Sequence, residues 1–194
     1  MDVPKMGTRI STSRFVALRV PLDDKYTHLI SSPTEHWTPA IFMQEQAAMG
    51  HDIRLVIDLT NTGKYYDGAV EFAESPIEYV KLSIEGFKAA PRRHDVDKFV
   101  AIVDEFLGRV PDGNIGVHCT HGLNRTGFLI VSYLVERCEY SLQDALQAFS
   151  DARPPGLIKH MYIEELYRRL APNDTPILPE LPAWAVAKYA GRNH

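Results

Sequence analysis

Cysteine, long apolar runs and positive charge are all scarce in this sequence. Its two cysteines, Cys119 and Cys138, allow at most one bridge, which excludes a disulfide-stapled secreted scaffold and predicts reduced thiols. No run of about 20 uncharged apolar residues is present, and the N-terminus lacks the apolar core of a secretory signal. We therefore expect an intracellular protein with no membrane association.

The charge balance restricts the kind of partner. The formal net charge is -4, whereas proteins that coat nucleic acid through counterion release carry an excess of Lys and Arg. Any contact with nucleic acid should therefore be local. With 45% hydrophobic residues in a chain of 194, there is enough apolar material for one ordinary globular domain.

Strand and helix signals alternate along the chain. Short apolar runs bounded by turn residues predict strands, and capped or amphipathic segments predict helices. The predicted strands are Arg14–Val20, Ile53–Leu59, Ile77–Ile84 and Ile115–His118, and the predicted helices begin near Thr38, Val96, Thr126, Ser141 and Lys159. This order predicts an α/β fold with a central, mainly parallel sheet flanked by helices.

Composition divides the chain into three parts. We predict an N-terminal tail over 1–13, one folded domain over 14–170 and a proline-rich C-terminal extension or linker over 171–194. In a mainly parallel sheet the ligand site lies at the carboxyl ends of the strands. Cys119 follows such an end, so the site is expected there.

The string His118-Cys-Thr-His-Gly-Leu-Asn-Arg-Thr-Gly127 joins a buried strand to an apolar helix. The short loop between Cys119 and Arg125 can turn its backbone N–H groups inward, and the helix that follows points its positive end at the same place. This pattern predicts an anion cradle in which Cys119 is a thiolate nucleophile. Arg125 supplies a planar fork for two phosphoryl oxygens. We therefore predict a phosphatase that works through a phosphocysteine.

Other residues of the string have supporting roles in this hypothesis. We expect the Thr126 hydroxyl to face the sulfur and to help it leave when water attacks the phosphocysteine. The loop should bind the phosphate through Thr120, His121, Gly122, Leu123 and Asn124. Because His118 and His121 lack the spacing of zinc ligands, we expect no metal and no other cofactor. His118 is expected to support the loop, and Cys138 to pack in the core.

At these residues the sequence resembles the cysteine phosphatase superfamily, whose members share the dual-specificity phosphatase-like fold. Within it, the chain is similar to the RNA 5′-triphosphatase domain of animal- and plant-type mRNA capping enzymes, and less similar to the RNA/RNP-complex-interacting phosphatase. The discriminating strings are the Asn-Arg-Thr-Gly form of the loop and Ala152-Arg-Pro-Pro-Gly156. Leu55-Val-Ile-Asp-Leu-Thr-Asn-Thr62 and Tyr162-Ile-Glu-Glu-Leu-Tyr-Arg-Arg169 support them.

The resemblance implies a metal-independent enzyme that removes the γ-phosphate from the 5′-triphosphate end of nascent RNA, the first step of mRNA capping. It also implies a nuclear location and, as a partner, a guanylyltransferase domain or protein that uses the diphosphate end. The nucleotidyl-transfer motif Lys-x-Asp-Gly is absent, since Lys64-Tyr-Tyr-Asp-Gly68 has one residue too many. We therefore expect that this chain does not cap RNA by itself.

A missing acid favours the same substrate on chemical grounds. Phosphotyrosine hydrolysis usually needs an Asp on a mobile loop to protonate a phenolate whose pKa is about 10, but no Trp-Pro-Asp occurs between Ile84 and Asp95. A diphosphate oxygen, with a pKa of about 6, leaves as the anion without that help. Glu85 or Asp95 is an alternative acid. A dual-specificity protein phosphatase and a non-catalytic binder of triphosphate RNA are the alternative functions.

Charged residues outside the loop complete the predicted site. Arg153 is our candidate for a contact with the β-phosphate. Asp58, at the end of a strand, is expected to hold Arg125 or to order the loop. Further cations expected near the site are Lys64, Arg92, Arg93, Lys159 and His160.

Overall fold

A computed structural model describes residues 3–86 and 88–189 of the chain. Its strands are β1 (Met6–Arg9), β2 (Phe15–Leu18), β3 (Ile53–Asp58), β4 (Glu78–Lys81) and β5 (Asn114–His118). They form one sheet in the order β1-β2-β5-β3-β4. β1 runs antiparallel to β2, and all other neighbours are parallel. The predicted mainly parallel α/β fold is thereby confirmed.

Helices connect and cover these strands. In chain order they are α1 (Pro39–Ala48), α2 (Gly68–Glu71), α3 (Arg93–Arg109), α4 (Asn124–Arg137), α5 (Leu142–Ala152), α6 (His160–Leu170) and α7 (Ala183–Tyr189). Two predicted helix starts are confirmed: the Thr38 hydroxyl accepts a hydrogen bond from the Ile41 N–H at 3.3 Å, and the Ser141 hydroxyl accepts one from the Asp144 N–H at 3.1 Å. These side chains satisfy N–H groups that a helix start leaves without partners.

The two faces of the sheet carry separate cores because side chains alternate along each strand. In β2, Phe15 and Ala17 join a large core formed with α3, α4, α5 and α6. Val16 and Leu18 point the other way and join a smaller core that includes Phe42 of α1. α4 is buried along most of its length, as its uniformly apolar sequence predicts. It therefore fixes the position of the loop that precedes it.

The N-terminal segment differs from the predicted tail. Met6–Arg9 forms β1, which pairs with β2 and covers what would otherwise be the open edge of the sheet. Val3 and Met6 are buried. Covering an exposed sheet edge and burying two apolar side chains favour this pairing, so the tail prediction is wrong for the described part of 1–13; residues 1–2 lie outside the described residues.

The C-terminal segment, predicted as a proline-rich extension or linker, packs against the domain. It contains α7, and Ala185 packs in a small cluster with Val3, Leu123 and Ile158. Trp184 lies against the same cluster, which explains why a proline-rich stretch does not extend away from the domain. Residues 190–194 lie outside the described residues. Within the described ranges, no helix is long and apolar enough to cross a membrane.

Candidate active site

Cys119 lies at the floor of a cleft of about 540 Å³, at the carboxyl end of β5 and just before α4. The residue is 4% exposed. Of the predicted loop residues, those that line the cleft with Cys119 are Thr120, His121, Asn124 and Arg125. The sequence therefore predicts the position of the cleft and most of its floor.

The surroundings of Cys119 favour the thiolate. Burial alone would raise the pKa of the thiol, but the Arg125 guanidinium and hydrogen bonds from the Thr126 side chain and backbone and from the Gly122 N–H outweigh burial and lower the pKa. These groups are the positive end of α4 and the inward amides of the loop. The nucleophile is thus more ionised at neutral pH than an ordinary cysteine.

Thr126 is the third residue of α4 and is fully buried. Its hydroxyl has no nitrogen or oxygen partner among the described residues, and it interacts with the Cys119 sulfur. A hydroxyl in this position can donate a hydrogen bond to the sulfur as it becomes a thiolate leaving group. The structure thus places the Thr126 hydroxyl beside the sulfur, where the sequence predicts it.

Gly122 allows the loop to turn. Its φ is +68° and a Cβ there would lie 1.9 Å from the Leu18 carbonyl oxygen, so only glycine fits. The carbonyl oxygens of this turn point away from the cleft, toward Arg153. Arg153 donates from Nη2 to the His121 oxygen at 2.9 Å and from Nε to the Gly122 oxygen at 3.3 Å.

Arg153 is therefore not positioned for the β-phosphate contact that the sequence predicts. It is fully buried behind the loop and does not line the cleft. Burial lowers its pKa to about 10, while the nearby Cys119 opposes that shift, so Arg153 is still a cation at neutral pH. By holding the carbonyl oxygens outward, it keeps the N–H groups of the loop directed at the anion. Tertiary packing places Arg153 there, because the end of α5 passes under the loop.

Arg125 is fixed by backbone on the neighbouring strands. Its Nη1 donates to the carbonyl oxygens of Ile84 at 2.9 Å and Leu59 at 3.1 Å, and Nη2 donates to the Thr120 hydroxyl at 3.2 Å. A Cβ on Gly86 would lie 2.9 Å from Arg125 Nε. The guanidinium is thus held between β3, the residues after β4 and the loop, which orients its fork toward a bound phosphate. Sequence reasoning missed Gly86, for which a single loop glycine gives little signal.

Asp58 does not hold Arg125, which was one of its two predicted roles. Its carboxylate accepts hydrogen bonds from the Thr60 N–H at 2.7 Å, the Tyr79 hydroxyl at 2.9 Å and Lys81 Nζ at 2.7 Å. Burial would raise its pKa, but its neighbours, His118, Lys81 and Thr60, hold the pKa below its ordinary value. Asp58 orders the segment after β3, and its nearest connection to the phosphate loop is through His118, whose Nδ1 lies 3.7 Å from Asp58 Oδ1.

His118 lies between Asp58 and the nucleophile Cys119. Its Nδ1 lies 3.3 Å from the Cys119 carbonyl oxygen and 3.7 Å from Asp58 Oδ1. Both are acceptors, so Nδ1 carries the proton, and Nε2 accepts a hydrogen bond from the Tyr66 hydroxyl at 2.7 Å. Burial lowers the pKa of His118, which keeps the ring neutral near pH 7. The ring therefore fixes the backbone at Cys119 without adding charge.

Tyr66, Tyr79 and Lys81 were missed at the sequence level. Tyr79 and Lys81 are two residues apart in β4 and so share a face, and Lys81 is the register partner of Asp58. The spacing of Tyr79 and Lys81 in a strand next to β3 is the sequence pattern that could have predicted their contacts with Asp58. Tyr66 lies in the polar segment before α2, and no sequence pattern indicates that its hydroxyl reaches His118.

Two loop residues that were predicted to bind phosphate have structural contacts of their own. Leu123 is fully buried in the cluster beneath α7, so its side chain does not face the cleft. Asn124 lines the cleft, but its Oδ1 accepts hydrogen bonds from the N–H groups of Ile158 at 3.0 Å and Lys159 at 2.9 Å. Asn124 thus fixes the start of α6 beside the loop and brings Lys159 to the rim of the cleft.

The predicted cations divide into two groups. Lys64 and Lys159 line the cleft. Arg93 does not, since its guanidinium pairs with Glu136 at 2.6 Å and Asp97 at 2.7 Å. His160 is also engaged, with Nε2 lying 2.9 Å from the Pro179 carbonyl oxygen. Two rim lysines therefore add positive charge to that of Arg125.

Of the two candidate acids, one lines the cleft and the other does not. Glu85 is the one acid among the described residues that line the cleft. Asp95 instead accepts a hydrogen bond from the Arg92 N–H at 2.8 Å and caps α3. Among the described residues, no three His, Cys, Asp or Glu side chains are grouped to hold a metal ion.

Comparison with known proteins agrees with this geometry. A family model described as "Dual specificity phosphatase, catalytic domain" matches residues 38–169. The chain is 37% identical over 185 residues to the mRNA-capping enzyme of Danio rerio, an alignment that covers 94% of this chain and 30% of that protein. It is 38% identical over 167 residues to the RNA/RNP complex-1-interacting phosphatase homolog of Caenorhabditis elegans, covering 84% of this chain and 70% of that protein.

A solved structure shows the same fold. The crystal structure of Tk-PTP in the active form superposes with a TM-score of 0.62 at 17% sequence identity, covering 88% of this chain and 99% of that chain. The chain spans 30% of the length of the capping enzyme it matches. The similarity to that enzyme is therefore a similarity to one part of it.

Proposed function

Because the chain belongs to the dual specificity phosphatase family, we propose that it hydrolyses the γ-phosphate from the 5′-triphosphate end of RNA through a phosphocysteine. One observation carries the proposal. The cleft that holds Cys119 and Arg125 also carries two rim lysines, Lys64 and Lys159. A triphosphate has two phosphates beyond the one attacked, and these lysines provide positive charge for them.

In the first step the Cys119 thiolate attacks the γ-phosphorus. The S–P bond forms and the bond to the β–γ bridging oxygen breaks, so the RNA leaves with a diphosphate end. Arg125 and the inward N–H groups of the loop stabilise the charge that develops on the transferred oxygens. The Arg125 guanidinium is already fixed by the Leu59 and Ile84 carbonyl oxygens, so little reorganisation of that side chain accompanies the step.

In the second step a water molecule attacks the phosphocysteine. The P–O bond forms, the S–P bond breaks, and inorganic phosphate leaves as Cys119 returns to the thiolate. The Thr126 hydroxyl stabilises the sulfur as its charge returns. The same interactions that lower the pKa of Cys119 make it a better leaving group.

The leaving group explains why an anhydride suits this cleft. A diphosphate oxygen has a pKa of about 6 and departs as the anion, whereas a phenolate with a pKa of about 10 needs a proton. The single lining acid among the described residues is Glu85. A cleft with three cations and one acid is better matched to triphosphate than to phosphotyrosine.

Similarity to mRNA-capping enzymes supports the RNA substrate and, with it, a nuclear role upstream of guanylyl transfer. In that reaction sequence a guanylyltransferase would use the diphosphate end that this enzyme leaves. The family description equally supports a second candidate, a dual-specificity protein phosphatase. A non-catalytic binder is disfavoured because the nucleophile and its activating groups are present.

Phosphate release from triphosphate-ended RNA and from a phosphotyrosine peptide, at equal concentration, tests the proposal. We expect the ratio of kcat/KM to favour RNA by more than about tenfold, because only the RNA end engages the rim lysines. The Cys119→Ser variant gives the background for both substrates. A preference for the peptide would leave the cysteine chemistry intact and assign the protein phosphatase function instead.

A further inference from the structure

A second cleft adjoins the active site. It has a volume of about 430 Å³ and lies between the residues that follow β4 and the start of α3. Asn61 and Glu85 line both this cleft and the one that holds Cys119. The two clefts therefore share a rim, and a ligand whose end occupies the phosphate pocket can continue into the second cleft.

Unpaired positive charge lines the second cleft. Lys88 and Arg92 line it, and neither side chain forms an ion pair with a described residue. Asp95 also lines this cleft, but its carboxylate is engaged, because it caps α3 through the Arg92 N–H and lies 3.0 Å from His94 Nε2. The adjacent Arg93 is different, since it is paired with Glu136. The cations that line the cleft are thus the ones for which no ion pair forms among the described residues.

The junction between the clefts carries the opposite charge. Glu85 lines both, and a carboxylate disfavours a phosphate but accepts hydrogen bonds from hydroxyl groups. A ligand that fits this order has phosphates at one end, hydroxyl groups next and further phosphates beyond. A triphosphate-ended RNA chain has that order, because the first ribose separates its terminal phosphates from its first phosphodiester.

We propose, on the basis of the proposed function, that the second cleft binds the RNA chain behind its triphosphate end. Lys88 and Arg92 contact backbone phosphates, and Glu85 accepts a hydrogen bond from a hydroxyl of the first ribose. Phosphate contacts of this kind carry no sequence information. The enzyme would therefore accept any RNA sequence but would distinguish a chain from a free nucleotide.

Steady-state kinetics with two substrates test this cleft. The substrates are ATP and a triphosphate-ended RNA of about ten nucleotides, long enough to fill a single-strand site. For Lys88→Ala combined with Arg92→Ala, we expect kcat/KM for RNA to fall about tenfold more than kcat/KM for ATP. The control is Lys98→Ala, which removes an exposed lysine of α3 that lines neither cleft. It should change neither value.

Salt dependence gives a second readout. Each phosphate contact with a single strand contributes about 0.7 to the slope of log affinity against log salt, so the double variant should lose about 1.4 from the slope measured with RNA. Equal losses for ATP and RNA, or an unchanged slope, would overturn the proposal. So would a double variant that loses activity toward a phosphopeptide rather than toward RNA.

Glu85→Ala separates the ribose contact from acid catalysis. If Glu85 binds a ribose hydroxyl, the variant loses its preference for triphosphate-ended RNA over matched DNA. Equal loss of kcat for both substrates would show a proton donor and would overturn the ribose contact.

Failure of the proposed function would be visible separately, as absence of phosphate release by the unmodified chain from every triphosphate substrate. Binding of 5′-hydroxyl RNA to Cys119→Ser, with and without the Lys88 and Arg92 substitutions, then still tests the cleft. Unchanged binding would reject it, and weakened binding would support it.

Discussion

The floor and the rim of the cleft are built differently. At the floor, Cys119 and Thr126 are buried, and Arg125 is held by two backbone carbonyl oxygens. At the rim, Lys64 is exposed, and its ammonium lies 5.1 Å from the ring centroid of Tyr65. The floor is rigid and fixes the reaction. The rim is solvated and contributes to the affinity for the substrate. We therefore expect substitutions at the floor to alter kcat and substitutions at the rim to alter KM.

The largest effect is expected at the nucleophile. Cys119→Ser should lower kcat by at least about 10³-fold, because a serine hydroxyl is not ionised in this field. The amides of the loop and Arg125 are unchanged, so the variant should still bind triphosphate-ended RNA. Single-turnover phosphate release and fluorescence polarisation measure the two properties. More than a few per cent of residual activity would rule out covalent catalysis by Cys119.

The next largest effect is expected at the phosphate fork. Arg125→Lys should lower kcat/KM by about 10²–10³-fold, because an ammonium makes neither the paired contact with phosphoryl oxygens nor the bonds to Ile84 and Leu59. Thermal unfolding of the variant serves as the control for folding. A rate close to that of the unmodified enzyme would remove Arg125 from the mechanism.

A smaller effect is expected for the hydroxyl beside the sulfur. Thr126→Val should lower kcat by about tenfold, because a hydrogen bond to the leaving thiolate is lost. The lowered pKa of Cys119 means that the thiolate persists to lower pH than in a free cysteine. Without the hydroxyl this pKa rises, so the acid limb of the pH–rate profile should move to higher pH. A limb that does not move would show that Thr126 has no part in the ionisation.

The smallest effect is expected at the rim. Lys64→Ala should raise KM for triphosphate-ended RNA by about fivefold and leave kcat nearly unchanged, as is usual for one solvated cation. The effect should shrink in high salt. Lys98→Ala is the matched control. A fall in kcat with constant KM would place Lys64 with the floor and break the distinction between the two regions.

The difference between the floor and the rim also explains which parts of the site the sequence could predict. The floor comes from one contiguous string, and the spacing of Cys119 and Arg125 between a strand and a helix determines its geometry. Arg153 has the same charge as the rim lysines, and only the fold of α5 under the loop reveals that it is buried. Its partners are backbone oxygens, which carry no residue-specific signal.

Long-range packing accounts for the other differences. Asp58 was expected near the loop, but its partner Lys81 comes from β4, a strand that pairs with β3 only in the folded sheet. The sequence at either end of the chain is rich in turn residues and looks like a tail. β1 and α7 form there because a sheet edge and an apolar cluster around Leu123 are available to cover.

Hydrolysis of triphosphate-ended RNA in excess EDTA, before and after thiol alkylation, tests the central account most directly. The Cys138→Ser variant leaves Cys119 as the single thiol. We predict full activity in EDTA, loss of activity on alkylation, and protection by inorganic phosphate, because the loop supplies both the nucleophile and the charge stabilisation. Activity that disappears in EDTA and survives alkylation would contradict the account.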